Sequence, residues 1–175
     1  NYLSEQDNNN NSRQAAAALN ISVPAVADLV INNIVLPTSV GAGVPFTVTW
    51  DVLNQGAAAT ANNSYVLIEL VDLNGDPVMI TEYYEGEGSY SYKAYENTLW
   101  TESGIAPDAA VQQSVEVYLP WNVPPGQYRF RITADAYSQV PELAGESNNV
   151  VLSEIVGVEQ ADLRVAAVTA PTEAV

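Results

Sequence analysis

PPGQYRFRITADAYSQVPELAGESNN, residues 124–149, is the stretch that decides the fold. Its first three residues, Pro-Pro-Gly, fix backbone angles and predict a turn. Apolar residues then occupy every second position, at Tyr128, Phe130, Ile132 and Ala134. This period of two is typical of a strand with one buried face, and the stretch ends in an acidic loop before a second apolar run, residues 150–158. A strand, an oxygen-rich loop and a return strand predict one side of a β-sandwich.

Turn signals and short alternating segments continue through the rest of the chain. Strands are predicted at residues 27–36, 46–52, 65–73, 77–80 and 115–119, in addition to the two around the acidic loop. Between Tyr83 and Trp100 the alternation disappears, and we interpret this segment as a long excursion from the sandwich. About seven short strands without a long helical segment predict an all-β, immunoglobulin-like sandwich.

The composition excludes several classes of function. The chain has 175 residues, enough for one domain with flanking segments, and carries 5 basic against 21 acidic residues, a net charge of −16. Such a surface repels phosphate backbones and anionic headgroups, so we expect neither a nucleic-acid partner nor membrane insertion. Divalent cations, which bind to carboxylates, suit this negatively charged chain better than anionic partners do.

Catalytic motifs are equally scarce. The chain has no Cys and no His, which removes thiolate chemistry and the commonest general base. It has no Ser-His-Asp set, P-loop or dinucleotide fingerprint, although a carboxylate pair of the glycosidase kind stays possible from composition. We therefore expect a protein that is not an enzyme.

A motif recurs along the chain. Ala27-Asp28-Leu29 opens the first clear strand, and Ala161-Asp162-Leu163 opens another 134 residues later (162 − 28). This repetition predicts a slice of a tandem array. Residues 1–26 would be the tail strand of a preceding repeat or a linker, residues 27–158 one whole domain, and residues 159–175 the first strand of a following repeat.

Four motifs in order carry a family resemblance. They are the A-D-L opening, T-W-D-V-x-N-Q-G at residues 49–56, L-P…P-P-G-x-Y at residues 119–128, and D…V-x-E…E-x-N-N at residues 135–149. Together they bracket nearly all of residues 27–158, and this region resembles the CARDB family, the cell-adhesion-related domain found in bacteria. The resemblance implies a non-catalytic immunoglobulin-like module, usually in tandem in large secreted or surface proteins of bacteria. The Tyr-rich segment 83–100 departs from the family pattern.

The acidic loop is a candidate calcium site. Its possible ligands are Asp135, Glu142, Glu146, Asn148 and Asn149. These side chains offer only oxygen atoms, and Ca²⁺ takes 6–8 oxygen ligands. The alternative is that the two Asn residues cap the turn while the acids face solvent.

The aromatic residues divide into two groups. Phe46, Trp50, Tyr128 and Phe130 lie on the apolar phase of alternating strands, so we expect them in the core. A second group has polar, loop-like neighbours and is a candidate interface or ligand surface: Tyr83, Tyr84, Tyr90, Tyr92, Tyr95 and Trp100, with Trp121 of the same kind. A small satellite core under the long excursion is the alternative for this group.

Two functions follow from these patterns. The first is a structural and adhesion module, a repeat of a surface stalk, sheath or filament that associates with neighbouring repeats or with other copies of itself. The second is an accessory module that binds a host or matrix glycan or protein through residues 83–100. Calcium is the one cofactor that the sequence suggests.

Overall fold

A computed structural model describes residues 22–160 of the chain. This part is built of strands, with one short 3₁₀ helix at Leu143–Ser147. The strands are β1 (Leu29–Val35), β2 (Ser39–Gly41), β3 (Phe46–Asn54), β4 (Ser64–Val71), β5 (Met79–Tyr84), β6 (Gly88–Lys93), β7 (Glu96–Thr101), β8 (Ala110–Val117), β9 (Gly126–Thr133), β10 (Val150–Leu152) and β11 (Val156–Glu159).

The strands form two sheets around one core, and a separate hairpin. One sheet has the order β1-β3-β8, and the other has the order β2-β11-β9-β4-β7, with β10 also paired to β9. Within the described residues only β2 and β11 run parallel. Phe46 on β3 meets Phe130 on β9 with ring centroids 6.1 Å apart, so side chains of the two sheets interdigitate. The predicted all-β sandwich is confirmed.

Alternation explains which side chains fill this core. On β3, every second residue from Val48 to Asn54 is buried, and β9 follows the same rule from Tyr128 onward. Trp50 and Phe130 are completely buried, Tyr128 is 9% exposed, and Phe46 is half-buried at the edge of the core. The structure thus places the four predicted core aromatics inside the sandwich or at its margin.

Asn54 fastens the entry of β1 to the end of β3. Its Oδ1 accepts hydrogen bonds from the backbone N–H groups of Asp28, at 3.1 Å, and Gly56, at 3.0 Å. Its Nδ2 donates to the carbonyls of Ala58 and Ile105, at 2.8 Å each. A Cβ at Gly56 would lie 2.5 Å from backbone atoms of residues 26–28, so only glycine fits there. The N-Q-G motif is therefore a junction between strands.

Residues 22–160 contain eleven strands, where the sequence predicted about seven for the whole sandwich. The single apolar run predicted at residues 150–158 is divided into β10 and β11. The division begins at Ser153, because its side-chain Oγ, and not a backbone carbonyl, accepts the hydrogen bond from the Phe130 N–H. The excursion at residues 83–100 is ordered as the end of β5, all of β6 and β7. Alternation could not reveal the β5–β6 hairpin, because most of its side chains are exposed on both faces.

The ends of the chain lie outside the described residues, apart from residues 22–26. These five form no strand, and the Val26 carbonyl accepts hydrogen bonds from the N–H groups of Ala57 and Ala58. The predicted tail strand before residue 22 and the predicted strand after residue 160 are not described.

Candidate functional site

The β5–β6 hairpin leaves the sandwich after β4 and returns to it as β7. Its root is held by the Ala94 N–H, which donates to the Val78 carbonyl at 2.7 Å, and by Ile80, which is 3% exposed. Lys93 at the end of β6 binds Glu69 on β4, with Nζ 2.6 Å from Oε1. The hairpin is therefore a fixed projection of the sheet.

Glu69 is the buried charge at this root. Burial alone would raise its pKa, but hydrogen bonds from Lys93 and Arg131 outweigh burial and hold the pKa below its usual range. Arg131 lies 2.7 Å from Glu69 through Nη2 and also donates to the Gly75 carbonyl. A carboxylate with two cationic partners stays ionised at neutral pH, so the root of the hairpin keeps its geometry there.

Glu82 organises the tyrosines on one face of the hairpin. The Tyr84 hydroxyl donates to Oε2 at 2.6 Å, the Tyr92 hydroxyl donates to Oε1 at 2.7 Å, and the Asn122 amide adds a longer contact of 3.3 Å. The hydrogen bond from Tyr84, followed by that from Tyr92, lowers the pKa of Glu82. Tyr90 packs against Tyr84 with ring centroids 5.7 Å apart. These contacts fix an aromatic face around one carboxylate.

The remaining aromatic candidates lie elsewhere. Tyr95 turns inward and meets Phe130 at 5.9 Å, so it belongs to the margin of the core, where burial raises the pKa of its hydroxyl. Trp100 is half exposed and packs on Tyr65 at 5.0 Å, away from Glu82. Tyr83 is 74% exposed and faces away from the tyrosines around Glu82. The six predicted residues therefore form no single surface.

Across from β5 lies the turn formed by residues 120–123, closed by a hydrogen bond from the Val123 N–H to the Pro120 carbonyl at 3.1 Å. Trp121 at its tip is 74% exposed. A cleft of about 500 Å³ separates this turn from the strand, and it is lined by Thr81, Glu82, Tyr83, Tyr84, Trp121 and Asn122. Sequence reasoning missed Glu82 and Asn122, because 40 residues separate them and neither belongs to a motif.

The acidic loop uses its oxygens to hold its own backbone. Asp135 accepts from the N–H of Gln139 at 2.9 Å and of Val140 at 2.7 Å, one bond to each carboxylate oxygen. Glu146 accepts from the Glu142 N–H at 3.3 Å, and the Asn148 amide donates to Asp28 at 3.1 Å. Within residues 22–160, no three acidic side chains converge as metal ligands would. A calcium site in this loop stays a prediction.

Glu142 joins the acidic loop to the first strand. It is 2% exposed, and its Oε1 accepts a hydrogen bond from the Leu29 N–H at 2.9 Å. Its Oε2 and the Asn149 Oδ1 are both buried without a hydrogen-bond partner. Burial raises the pKa of Glu142 to about 7, and the charges of Glu146 and Asp135 act in the same direction. The V-x-E and A-D-L motifs thus meet in space, 113 residues apart.

Comparison with solved structures shows the same fold in several proteins. The CARDB domain of the PF1109 protein from Pyrococcus furiosus, solved in complex with di-metal ions, is 21% identical over 80% of this chain and 100% of that chain, with a TM-score of 0.51. The sporulation control protein Spo0M from Bacillus subtilis is 13% identical over 77% of this chain and 50% of that chain, with a TM-score of 0.53. At these identities the likeness concerns the fold alone. Comparison with curated proteins gives no significant match.

The sequence profile of a known family matches the region that the structure describes as one sandwich. The CARDB profile covers residues 26–153. This range begins just before β1 and ends just after β10, the strand that follows the acidic loop. CARDB domains form a family of non-enzymatic modules, and those that occur in bacterial proteins are often surface-associated. Among residues 22–160 there is no helix with the length and apolar character needed to cross a membrane. Since the profile matches well over half of the chain, the chain belongs to the CARDB family.

Proposed function

We propose that the chain is a structural and adhesion module of an extracellular bacterial protein, a repeat of a surface stalk, sheath or filament. Its coarser class, a non-catalytic domain, follows from the family. The more specific role, a repeat of a stalk, sheath or filament, is supported by the recurring A-D-L motif and by the features of the edge strands of the two sheets.

The A-D-L motif carries the proposal. In the described domain it begins β1 and is fixed by two neighbours, since Asn54 binds the Asp28 N–H and Glu142 binds the Leu29 N–H. The second copy begins at Ala161, directly after β11 ends at Glu159 and Gln160 follows. A strand-opening motif at this place is suited to starting a further domain with almost no linker.

Pairing between the sheet edges of two described domains is restricted at several places. On β1, the register shifts between Asn32 and Val35, and such bulges interrupt edge pairing. On the other side, the Gln113 side chain of β8 donates to the Trp100 carbonyl and to the Thr101 hydroxyl of β7, at 2.9 Å each. Edge β2 has only three residues. A strand from outside the sandwich is therefore the better candidate for association, namely residues 161–175. The longest edge of the two sheets that could accept it is β8 (Ala110–Val117).

Residues 161–175 have the apolar phase that such a role requires. Leu163, Val165 and Ala167 share one phase of the predicted strand. Apolar area left in water costs about 25 cal/mol per Å². Pairing with a neighbouring repeat or another copy by β-strand addition would bury this face, and a head-to-tail contact of that kind propagates as a filament.

Light scattering on the full chain tests the proposal. We expect mass to rise with concentration for residues 1–175, and Val165→Asp to abolish this rise. Ala166→Asp is the matched control, since it adds the same charge on the opposite phase and should leave association intact. If the chain and both variants are monomeric over a wide concentration range, association through this segment is wrong.

A second candidate function is binding of a glycan or protein through the aromatic segment 83–100. The observation that favours it is exposure, because Tyr83, Tyr84 and Tyr90 are all close to half exposed or more. Large aromatic side chains left in water commonly mark binding surfaces. Saturable binding on a glycan array would support this candidate, and its absence from glycan and protein arrays would remove it.

A further inference from the structure

We propose that the cleft between β5 and the turn at residues 120–123 binds a neutral saccharide, with Trp121 as the stacking face and Glu82 as the hydrogen-bond acceptor. This inference rests on the ligand-binding candidate, which it deepens by naming the site and the ligand class. It does not depend on association of the chain.

Trp121 is held out into solvent by its neighbours. Leu119 before it and Val123 after it are both completely buried, so the turn is pinned to the core on each side. The Gln160 side chain also donates to the Val123 carbonyl at 3.4 Å. Trp121 nevertheless leaves 74% of its surface exposed. An aromatic ring fixed in this way loses little conformational freedom when a ligand covers it.

Glu82 supplies a polar group at a fixed position in the same cleft. The hydroxyls of Tyr84 and Tyr92 orient its carboxylate, and Asn122 contacts one oxygen. An ionised carboxylate offers about four lone-pair sites, so acceptor capacity remains after these three contacts. Saccharides combine apolar C–H faces, which pack on aromatic rings, with hydroxyl donors, which a carboxylate accepts. The cleft presents both features side by side.

Charge selects the class of saccharide. Among the residues that line the cleft, Glu82 is the one ionised group and none is basic. The chain as a whole carries a net charge of −16. Phosphorylated, sulfated or uronic-acid glycans would be repelled by this field. The volume of about 500 Å³ lies within the range of small-ligand sites and suits a short saccharide.

Affinity electrophoresis in gels that contain a soluble β-glucan, a mannan or a galactan tests the inference, with alginate as the anionic counterpart. We expect retardation in at least one neutral gel and none in alginate. Trp121→Ala should weaken the apparent affinity about tenfold or more, as expected for an aromatic anchor. Tyr137→Ala is the control, because it removes an aromatic side chain that is 60% exposed and lies outside the cleft, and it should leave retardation unchanged.

A second variant separates the polar contact from the stacking contact. Glu82→Gln keeps the shape of the side chain and removes its charge, so it should weaken retardation in the gel that retards the unmodified chain. Thermal melting of each variant verifies that it is folded. Retardation that survives Trp121→Ala overturns the assignment of the cleft but leaves the ligand-binding candidate standing. Absence of retardation in every neutral gel, or Trp121-dependent binding to an immobilised unfolded polypeptide instead, overturns the saccharide inference itself.

Discussion

Replacing Glu142 by Gln should change how stability depends on pH. In the folded protein, burial raises the pKa of Glu142 from its ordinary value of 4.5 to about 7. Between these two values the folded protein holds a proton that the unfolded chain releases. The free energy of unfolding contributed by this group therefore falls as pH rises from about 4.5 to about 7, and is constant above that.

The magnitude follows from the same two values. At 1.36 kcal/mol per pKa unit, the ionised form of Glu142 costs the folded state up to ~3 kcal/mol at pH 8. Gln keeps an oxygen for the Leu29 N–H and is neutral at every pH. Glu142→Gln should then raise the free energy of unfolding by up to about 3 kcal/mol at pH 8 and have little effect at pH 4.

Urea unfolding at a series of pH values between 4 and 8 measures this difference. The exposed Glu116→Gln on β8 is the matched control, because it removes the same charge without a buried contact. Acidic groups that do not interact with Glu142 contribute equally to the unmodified chain and to the variant, so the difference curve reports Glu142 together with its coupling to Glu146 and Asp135. A difference that is flat with pH, or a variant less stable at pH 8, would refute a raised pKa as the origin.

Three further results are expected. Trp50→Ala should destabilise by ~3–5 kcal/mol in chemical unfolding, since the side chain is completely buried between the sheets, and a loss below ~1 kcal/mol would contradict that placement. Asn54→Ala should lower the free energy of unfolding by about 3 kcal/mol or more, because it leaves buried backbone groups such as the Ile105 carbonyl unpaired. Asn62→Ala is the control and should lower it much less, because it removes one exposed hydrogen bond to the Gln139 carbonyl. If calcium binds the acidic loop, the Tm should fall when a chelator is added, because a ligand at a hundredfold excess over Kd stabilises the folded state by ~2.7 kcal/mol. A change in Tm below ~1 °C would mean that hydrogen bonds alone hold residues 135–149.

Period-two alternation predicted the strands that have one buried and one exposed face. β3 and β9 are of this kind, and their bounds differ from the prediction by a few residues at most. It could not predict β2, which has three residues, or β6, in which no side chain is fully buried. The pattern records burial, so a hairpin that projects into water carries no such signal.

The candidate sites show the corresponding limit for function. The acidic loop was recognisable by composition, but the partner of Glu142 is an N–H group 113 residues away, which no local pattern reveals. In the same way, Glu82 meets Asn122 through the fold and not through sequence proximity. Exposed aromatics were predictable as a class from their polar neighbours. Their division among the cleft, the Trp100–Tyr65 pair and the core margin required the structure.

Hydrogen–deuterium exchange of the full chain at low and high concentration tests most directly whether the C-terminal segment joins copies of this module. The account predicts that amides of residues 163–169 become protected as concentration rises, while those of β3 exchange equally slowly at both concentrations. Val165→Asp should remove the added protection. Exchange at residues 163–169 that is independent of concentration would contradict the proposed strand addition.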